Sequence, residues 1–189
     1  MSIPKKVLNY LEKNKIKFKI VPHKKVYTAY DLAETLKEDL KKIAKTLLVK
    51  ADKNYYLIVV PAHYQLDFKK IKKVLKAKKV GIATEKAMQK LLKIKPGAIT
   101  PFGSIHNLEV LADKTFTKIQ EVLVGAGSFT ESLRIKTKDL IKLEEPLLVS
   151  IGAVKKRKPT KKKKVAKKRK LVKKKKVAKC KPAKKRVKK

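Results

Sequence analysis

Residues 45–62, KTLLVKADKNYYLIVVPA, contain two apolar runs separated by a short polar segment. The runs TLLVKA and YYLIVVPA are rich in β-branched and aromatic residues, which favour strands. Asp52, Lys53 and Asn54 lie between them, and this spacing and composition are typical of a turn that joins two antiparallel strands. The stretch therefore predicts a β-hairpin.

Strand and helix patterns alternate irregularly on either side of the hairpin. FKIVPH, LEVLAD, EVLVGAG, SLRI and PLLVSIG predict further strands. Thr28, Asp67 and Thr84 each precede a helical pattern with one apolar face, as helix N-caps do. Because the strand order combines hairpins and crossovers, we expect an α/β (mixed α+β) fold in which helices pack on a mixed sheet.

The C-terminal segment, residues 155–189, differs in composition from the rest of the chain. The protein has 54 Lys and Arg against 15 Asp and Glu, and this segment holds 23 of the basic residues and no acid. Its few Val, Ala and Leu residues offer too little apolar surface to offset the entropy of ordering. We expect a folded domain over residues 1–152 and a disordered Lys-rich tail over residues 153–189.

The tail repeats the hexapeptide KKKKVA, which begins at residue 161 and again at residue 173. One interpretation is that its charge only keeps the protein dispersed; the other is a polyanion-binding arm, because each phosphate neutralised by a lysine releases counterions. We favour nucleic acid over a membrane surface, since no amphipathic aromatic face or apolar stretch of about 20 residues accompanies the charge. The residues predicted to bind nucleic acid are Lys161, Lys162, Lys163, Lys164, Lys173, Lys174, Lys175 and Lys176.

Cysteine and histidine usage argues against several classes of protein. Cys180 is the single cysteine, so no disulfide can form within the chain, and the N-terminus has no signal segment. A cytoplasmic protein is expected. His23, His63 and His106 do not have the spacing of metal ligands, so we expect no metal. Neither a Gly-x-Gly-x-x-Gly motif nor a P-loop occurs, and no cofactor is expected.

Residues 93–105, KIKPGAITPFGSI, form a segment with two prolines, two glycines and no carboxylate. Such a composition is typical of a defined loop that presents main-chain N–H groups. Nucleophilic catalysis by Ser or Cys has no motif here. One reaction needs little from side chains, namely hydrolysis of an activated ester by a positioned water, with main-chain amides stabilising the oxyanion.

The stretches KTLLVKADKNYYLIVVPA, PGAITPFG, LEVLAD and VGAGSFTESLRI resemble the YbaK/ProX family of aminoacyl-tRNA deacylases in order and approximate spacing. This family is related to the editing domain of bacterial prolyl-tRNA synthetases, and the similarity covers residues 3–151. It implies a mixed, largely antiparallel sheet surrounded by helices. It also implies a trans-editing enzyme that hydrolyses the ester of a tRNA mischarged with a small amino acid, such as Ala or Cys on proline tRNA. The implied partner is tRNA, and a synthetase is a further candidate.

The resemblance also implies site residues. Gly97 and Pro101 match the family's Gly-x-x-x-Pro loop and Lys45 matches its pocket lysine, so these three are the catalytic candidates. The loop amides would face the ester carbonyl and the ribose, whose hydroxyl would assist the attack of water. The candidates for substrate binding are Thr46, Ala98, Phe102, Gly103, Asp113, Gly127 and Ser128, with an orienting role for Asp113.

Simpler interpretations stay open at this stage. Gly97 and Pro101 also suit an ordinary turn, Gly127 a bend, and a loop histidine such as His23 is commonly satisfied by backbone groups. Tyr27 could line a pocket or simply pack. Two alternative functions also remain: a non-catalytic nucleic-acid-binding or regulatory module that uses the basic tail, and an esterase acting on small molecules.

Overall fold

The computed structural model describes residues 2–94 and 96–154. Residues 155–189 of the predicted basic tail lie outside these residues, whereas residues 153 and 154, which were predicted to begin the tail, belong to a strand. Five α-helices occur in this part of the chain. They are α1 (Lys5–Lys13), α2 (Ala29–Leu36), α3 (Phe68–Val74), α4 (Glu85–Leu92) and α5 (Thr137–Glu144). The strands are β1 (Phe18–Pro22), β2 (Ala44–Ala51), β3 (Asn54–Pro61), β4 (Tyr64–Leu66), β5 (Val80–Ile82), β6 (Glu109–Asp113), β7 (Glu121–Gly125), β8 (Glu131–Lys136), β9 (Leu147–Val149) and β10 (Gly152–Val154).

The predicted hairpin is confirmed. Strands β2 and β3 pair antiparallel, with Ala51 opposite Asn54 at the turn and Ala44 opposite Pro61 at the far end. Asp52 in the turn has a φ of 52°, the left-handed conformation that a two-residue connection requires.

The strands form three sheets. The largest has the order β5-β2-β3-β6-β9; β5, β2 and β3 are antiparallel, whereas β3, β6 and β9 are parallel. Strands β1, β8 and β7 form an antiparallel sheet, and β10 pairs with β4. A parallel bridge between Ile43 and Leu123 joins the start of β2 to β7. The predicted mixed α/β class is therefore confirmed, with the strands divided among three sheets.

Apolar side chains fill both faces of the β2–β3 hairpin. Leu48 and Leu57 belong to a buried cluster on one face, while Val49, Ile58 and Ile71 of α3 belong to a cluster on the other. This alternation is the two-residue period of strands. It explains why both strands are almost continuously apolar, since neither face is open to water.

The predicted helix caps are also found. Thr28 accepts a hydrogen bond from the N–H of Asp31, whose carboxylate accepts one from the N–H of Thr28, so α2 begins with a capping box. Asp67 and Thr84 accept main-chain bonds at the starts of α3 and α4. The cap of α2 matters for the site because it fixes the segment before that helix.

Two features differ from the prediction. The stretch PLLVSIG splits into β9 and β10, which lie in different sheets, because the N–H groups of Ile151 and Gly152 bond to the carboxylate of Asp113 instead of continuing a ladder. Strands β4 and β5 were not predicted. Each has three residues, too few to show a strand periodicity.

Candidate functional site

A cleft of about 390 Å³ lies where four segments of the domain meet. Its walls come from the segment that leads into α2, the start of β2, the loop at residues 96–99, and the region from the end of β7 to the start of β8. These segments are distant in sequence. The β2–β3 hairpin and the β1–β8–β7 sheet bring them together.

Lys45 is half-buried on β2, opposite Val60, and lines the cleft. Its Nζ donates a hydrogen bond of 2.5 Å to the carbonyl oxygen of Tyr64, the first residue of β4. Because a lysine side chain has several rotatable bonds, this contact fixes an ammonium group that would otherwise sample many positions. The cleft therefore contains a cation of defined position.

Thr46 follows Lys45 and also lines the cleft. Its side chain is 9% exposed, and its Oγ1 atom is buried without a hydrogen-bond partner among the described residues. A buried hydroxyl without a partner destabilises a fold, and most buried polar groups avoid that state. Thr46 therefore offers a polar group that a ligand in the cleft could satisfy.

The loop at residues 96–99 contributes Pro96, Gly97 and Ile99 to the lining of the cleft. Gly97 has a φ of +93°, a conformation that other residues rarely adopt. The N–H groups of residues 97–100 make no hydrogen bond with any other described residue. Since Gly97 and Ile99 line the cleft, main-chain amides that have no hydrogen-bond partner in the described part of the chain lie beside the space that a ligand would occupy.

Two serines lie at the end of the cleft formed by β7 and β8. Ser128 is buried, and its Oγ lies 3.2 Å from Thr130 Oγ1 and accepts a bond from the N–H of Thr130. Gly125 packs so closely on the loop that an added Cβ would lie 2.6 Å from the carbonyl oxygen of Ile99. The end of β7 thus supports the loop at residues 96–99 directly.

His23 and Ser132 form a pair in the cleft that the sequence analysis missed. The Nδ1 of His23 lies 2.8 Å from the carbonyl oxygen of Lys24, and its Nε2 lies 2.9 Å from Ser132 Oγ. Because a carbonyl only accepts, Nδ1 carries the proton, and in the neutral ring Nε2 accepts from the serine hydroxyl. The antiparallel pairing of β1 with β8 brings the two residues together, so only a correct strand register would have revealed the pair.

Several predicted site residues lie outside the cleft lining. Ala98 is a buried residue of the loop, and Pro101 lines a small apolar space beside Val59 and Val110. Phe102 is fully buried, with its ring 5.9 Å from the ring of Tyr10. These residues anchor the loop in the core.

The remaining glycines of the prediction also serve close packing. A Cβ at Gly103 would lie 2.3 Å from the carbonyl oxygen of Leu108, and one at Gly127 would lie 3.0 Å from the ring of Pro4. Gly127 also has a φ of +84°. Among the predicted residues, the structure therefore brings Lys45, Thr46, Gly97 and Ser128 to the cleft and places Ala98, Pro101, Phe102, Gly103 and Gly127 outside its lining.

Asp113 is buried at the end of β6 and also lies outside the cleft lining. One carboxylate oxygen accepts bonds from the N–H and hydroxyl of Thr115, and the other accepts from the N–H groups of Ile151 and Gly152. Burial raises the pKa of this carboxyl, but the hydrogen bonds from Thr115, Gly152 and Ile151 outweigh it and hold the pKa below its usual value. Asp113 thus ties the end of β6 to the start of β10.

The fold and cleft agree with the matches to known proteins. The family model described as the aminoacyl-tRNA editing domain matches residues 23–143. The chain therefore belongs to the aminoacyl-tRNA editing domain family. The matched region includes the segment before α2, β2, the loop at residues 96–99 and β7, so it contains the elements that build the cleft.

The chain matches nearly the whole of one relative and a small part of another. The chain is 27% identical over 149 residues to the prolyl-tRNA editing protein ProX of Acetoanaerobium sticklandii, covering 76% of this chain and 91% of that protein. It is 31% identical over 102 residues to the proline–tRNA ligase of Macrococcus caseolyticus, covering 54% of this chain. The chain spans only 18% of that ligase.

A solved structure gives the same fold. A crystal structure described as a candidate trans-editing enzyme for prolyl tRNA synthetase superposes with a TM-score of 0.69 at 23% identity, covering 79% of this chain and 96% of the other. At this identity the likeness shows the fold alone.

Proposed function

We propose that this protein is a trans-editing deacylase that hydrolyses the ester of a mischarged aminoacyl-tRNA. Family membership supports the reaction, and the match to ProX over 91% of that protein supports action as a separate chain. The single observation that carries the proposal is a cleft lined both by Lys45 and by a loop whose main-chain amides have no hydrogen-bond partner among the described residues.

The proposed chemistry follows from this arrangement. An ester carbonyl placed against the amides of Gly97 and its neighbours would develop negative charge that N–H donors stabilise. The ammonium of Lys45 adds a cation for the ester oxygens or the terminal phosphate. A ribose hydroxyl next to the ester would orient the attacking water. The water oxygen bonds to the carbonyl carbon and the ester C–O bond breaks, so the amino acid leaves and the ribose oxygen takes a proton to become a hydroxyl again.

The lining of the cleft suits a small amino acid. Leu32, Ile43 and Met88 supply apolar walls, while Thr46 and Ser128 supply hydroxyls. A synthetase separates substrates that differ by one methylene by only about 1–3 kcal/mol, so small amino acids such as Ala or Cys on proline tRNA need a second hydrolytic site. We propose these as the substrates.

The proposed partner is tRNA, with a synthetase as a further candidate. The 23 Lys and Arg of residues 155–189 would supply affinity for the phosphate backbone. We propose a folded domain that extends through β10, a nucleic-acid-binding tail over residues 155–189, and action in the cytoplasm. Among the described residues, no helix has the length and apolar character needed to cross a bilayer.

The composition of the tail favours one alternative, a non-catalytic nucleic-acid-binding or regulatory module. The two functions differ in a simple test. Purified full-length protein is incubated with proline tRNA charged with Ala, Cys, Ser or Pro, and release of the amino acid is followed over time. The proposal expects release of a small mismatched amino acid and retention of Pro. Protein that binds the tRNA and leaves every ester intact would favour the module.

The same assay separates a small-molecule esterase from an editing enzyme. Free aminoacyl methyl esters are offered beside the charged tRNA at equal concentration. Faster hydrolysis of the charged tRNA supports editing, because the nucleic acid then contributes to transition-state binding. Equal rates on both would point to an esterase.

A further inference from the structure

A second groove, of about 590 Å³, adjoins the cleft. We call it the side groove and define it by Lys25, Tyr27, Glu85, Gln89 and Phe129. Tyr27 and Pro96 line both cavities, so the side groove borders the proposed ester site. A ligand bound in the cleft could extend into it without leaving the surface of the domain.

The side groove contains an exposed aromatic surface. The rings of Tyr27 and Phe129 lie 5.2 Å apart and are inclined by 53°. Tyr27 is 57% exposed, far more than an aromatic residue packed in the core would be. Lys25 places its Nζ 5.5 Å from the centre of the tyrosine ring. Exposed aromatic rings beside a cation are the usual elements of a surface on which nucleic acid bases stack.

Main-chain contacts hold this surface in place. The N–H of Val26 donates to the carbonyl oxygen of Phe129 at 3.0 Å, and the N–H of His23 donates to that of Thr130 at 2.8 Å. Gly97 lies against the backbone of Tyr27 and the ring of Phe129. Because these bonds already fix the segments carrying both rings, binding there would need little reordering of the backbone.

Helix α4 supplies polar groups to the same groove. Glu85 and Gln89 are four residues apart, so they share one face of the helix, and both are exposed. An amide side chain can bond to the N6 and N7 atoms of adenine, and a carboxylate can accept from an exocyclic amino group. The groove thus combines stacking, a cation and donors and acceptors suited to a base edge.

We infer that the side groove binds the adenine base of the 3′-terminal nucleotide of tRNA, whose ribose carries the ester held in the cleft. This inference rests on the proposed function, because the ester site defines which nucleotide adjoins the groove. The base stacks on the exposed ring of Tyr27, while the inclined ring of Phe129 contacts the base from the side. Lys25 contacts the adjoining phosphate, and Gln89 contacts the base edge.

The test uses adenosine as the probe, because an uncharged nucleoside gains little from the basic tail. Binding to the full-length protein is followed by NMR, and wild type is compared with Tyr27→Ala and Tyr27→Phe. We expect adenosine to shift the resonances of Tyr27, Phe129 and the Gln89 amide. Tyr27→Ala should weaken binding about 10-fold, the scale of one base stack, and Tyr27→Phe should bind as wild type does. Equal affinity of wild type and Tyr27→Ala would overturn the inference.

A matched lysine pair tests the phosphate contact. Lys50 lies over the ring of Tyr55 at 5.7 Å, a similar geometry on the hairpin and outside both cavities. With AMP as the probe, Lys25→Ala should lower affinity about 3- to 10-fold more than Lys50→Ala does. Equal losses in both variants would show that Lys25 has no special role and would count against the inference.

These results separate the inference from the proposed function. If adenosine binding depends on Tyr27 while wild type leaves every charged tRNA intact, the nucleoside site stands and the deacylase proposal fails. If wild type deacylates mischarged tRNA but adenosine binding is unaffected by Tyr27→Ala, the side groove is not the base site and the deacylase proposal stands.

Discussion

Gly97 packs directly against the main chain of Tyr27. A Cβ added at residue 97 would lie 2.6 Å from the carbonyl oxygen of Tyr27, and the φ of Gly97 is +93°. This contact joins the amide loop to the segment that leads into α2, so two walls of the cleft depend on one glycine. It also sets the position of the amides to which we assign oxyanion binding.

Gly97→Ala should therefore damage both the loop and the activity. The substitution adds a close contact with backbone and a strained φ, and we expect a loss of about 1–3 kcal/mol of stability and at least a 10-fold loss of deacylation. Denaturant unfolding and single-turnover deacylation measure the two effects. Gly81→Ala on β5 is the control, since nothing lies within 4 Å of its added Cβ. Indistinguishable behaviour of the two variants would contradict the role of Gly97.

Thr46→Val should lower activity without lowering stability. Valine has nearly the same shape and removes a buried hydroxyl that has no partner among the described residues, so the fold should be unchanged or stabilised by about 1 kcal/mol. If that hydroxyl bonds the substrate, kcat/KM should fall about 10-fold. Thr137→Val is a matched control, because Thr137 Oγ1 is also buried without a described partner but lies away from the cleft. Equal activity of both variants would remove Thr46 from the site.

Asp113→Asn should destabilise the fold. The amide nitrogen of Asn must face either Thr115 or the N–H groups of Ile151 and Gly152. An N–H donor of Asn then lies against main-chain N–H donors, and their hydrogen bonds are lost. Hydrogen bonds to a charged group contribute about 1.5–3 kcal/mol each, and we expect a loss of about 3 kcal/mol at pH 7.

We also expect the stability difference between wild type and Asp113→Asn to depend on pH. The folded pKa of Asp113 lies below its usual value of about 3.9, so the carboxylate contributes its full stability above that pH and loses it as the pH falls through the folded pKa. The stability difference between wild type and Asp113→Asn should shrink below about pH 4. A difference that stays constant from pH 7 to pH 3 would mean that the charge of Asp113 contributes nothing.

Removing residues 155–189 should weaken the binding of charged tRNA more than it slows hydrolysis of the ester. The segment carries 23 Lys and Arg, and each contact with a phosphate adds to the salt dependence of binding. We expect KM for charged tRNA to rise at least about 10-fold at low salt, with a smaller slope against log salt and little change in kcat. A tail of the same length with Lys replaced by Gln should behave like the truncation. An unchanged KM would assign the tail another role.

Local sequence signals predicted the parts of the fold that depend on neighbouring residues. The β2–β3 hairpin follows from its apolar runs and its short turn, and the caps at Thr28, Asp67 and Thr84 follow from short polar side chains before apolar periodicity. The division of strands among sheets depends on long-range bonds. The break between β9 and β10 is one example, since Asp113 lies 38 residues from Ile151.

The candidate site shows the same limit. Lys45 and Gly97 were identified through a resemblance, and both line the cleft. Only part of the segment predicted as a loop, however, lines the cleft. Pro101 and Phe102 are buried outside the lining of the cleft. One sequence does not show in which direction such residues point. The pair of His23 and Ser132 forms across 109 residues and depends on the β1–β8 register, which local patterns do not contain.

The most direct test of the account is the single-turnover rate of Lys45→Ala on a mischarged tRNA that wild type deacylates. Tail-mediated binding should persist, so tRNA affinity should stay within about 3-fold of wild type, while the hydrolysis rate should fall about 100-fold or more. Lys50→Ala, on the same strand but exposed and outside the cleft, should keep the wild-type rate. A Lys45→Ala protein that releases the amino acid as fast as wild type would contradict the claim that this cleft, with its ammonium group and loop amides, performs the reaction.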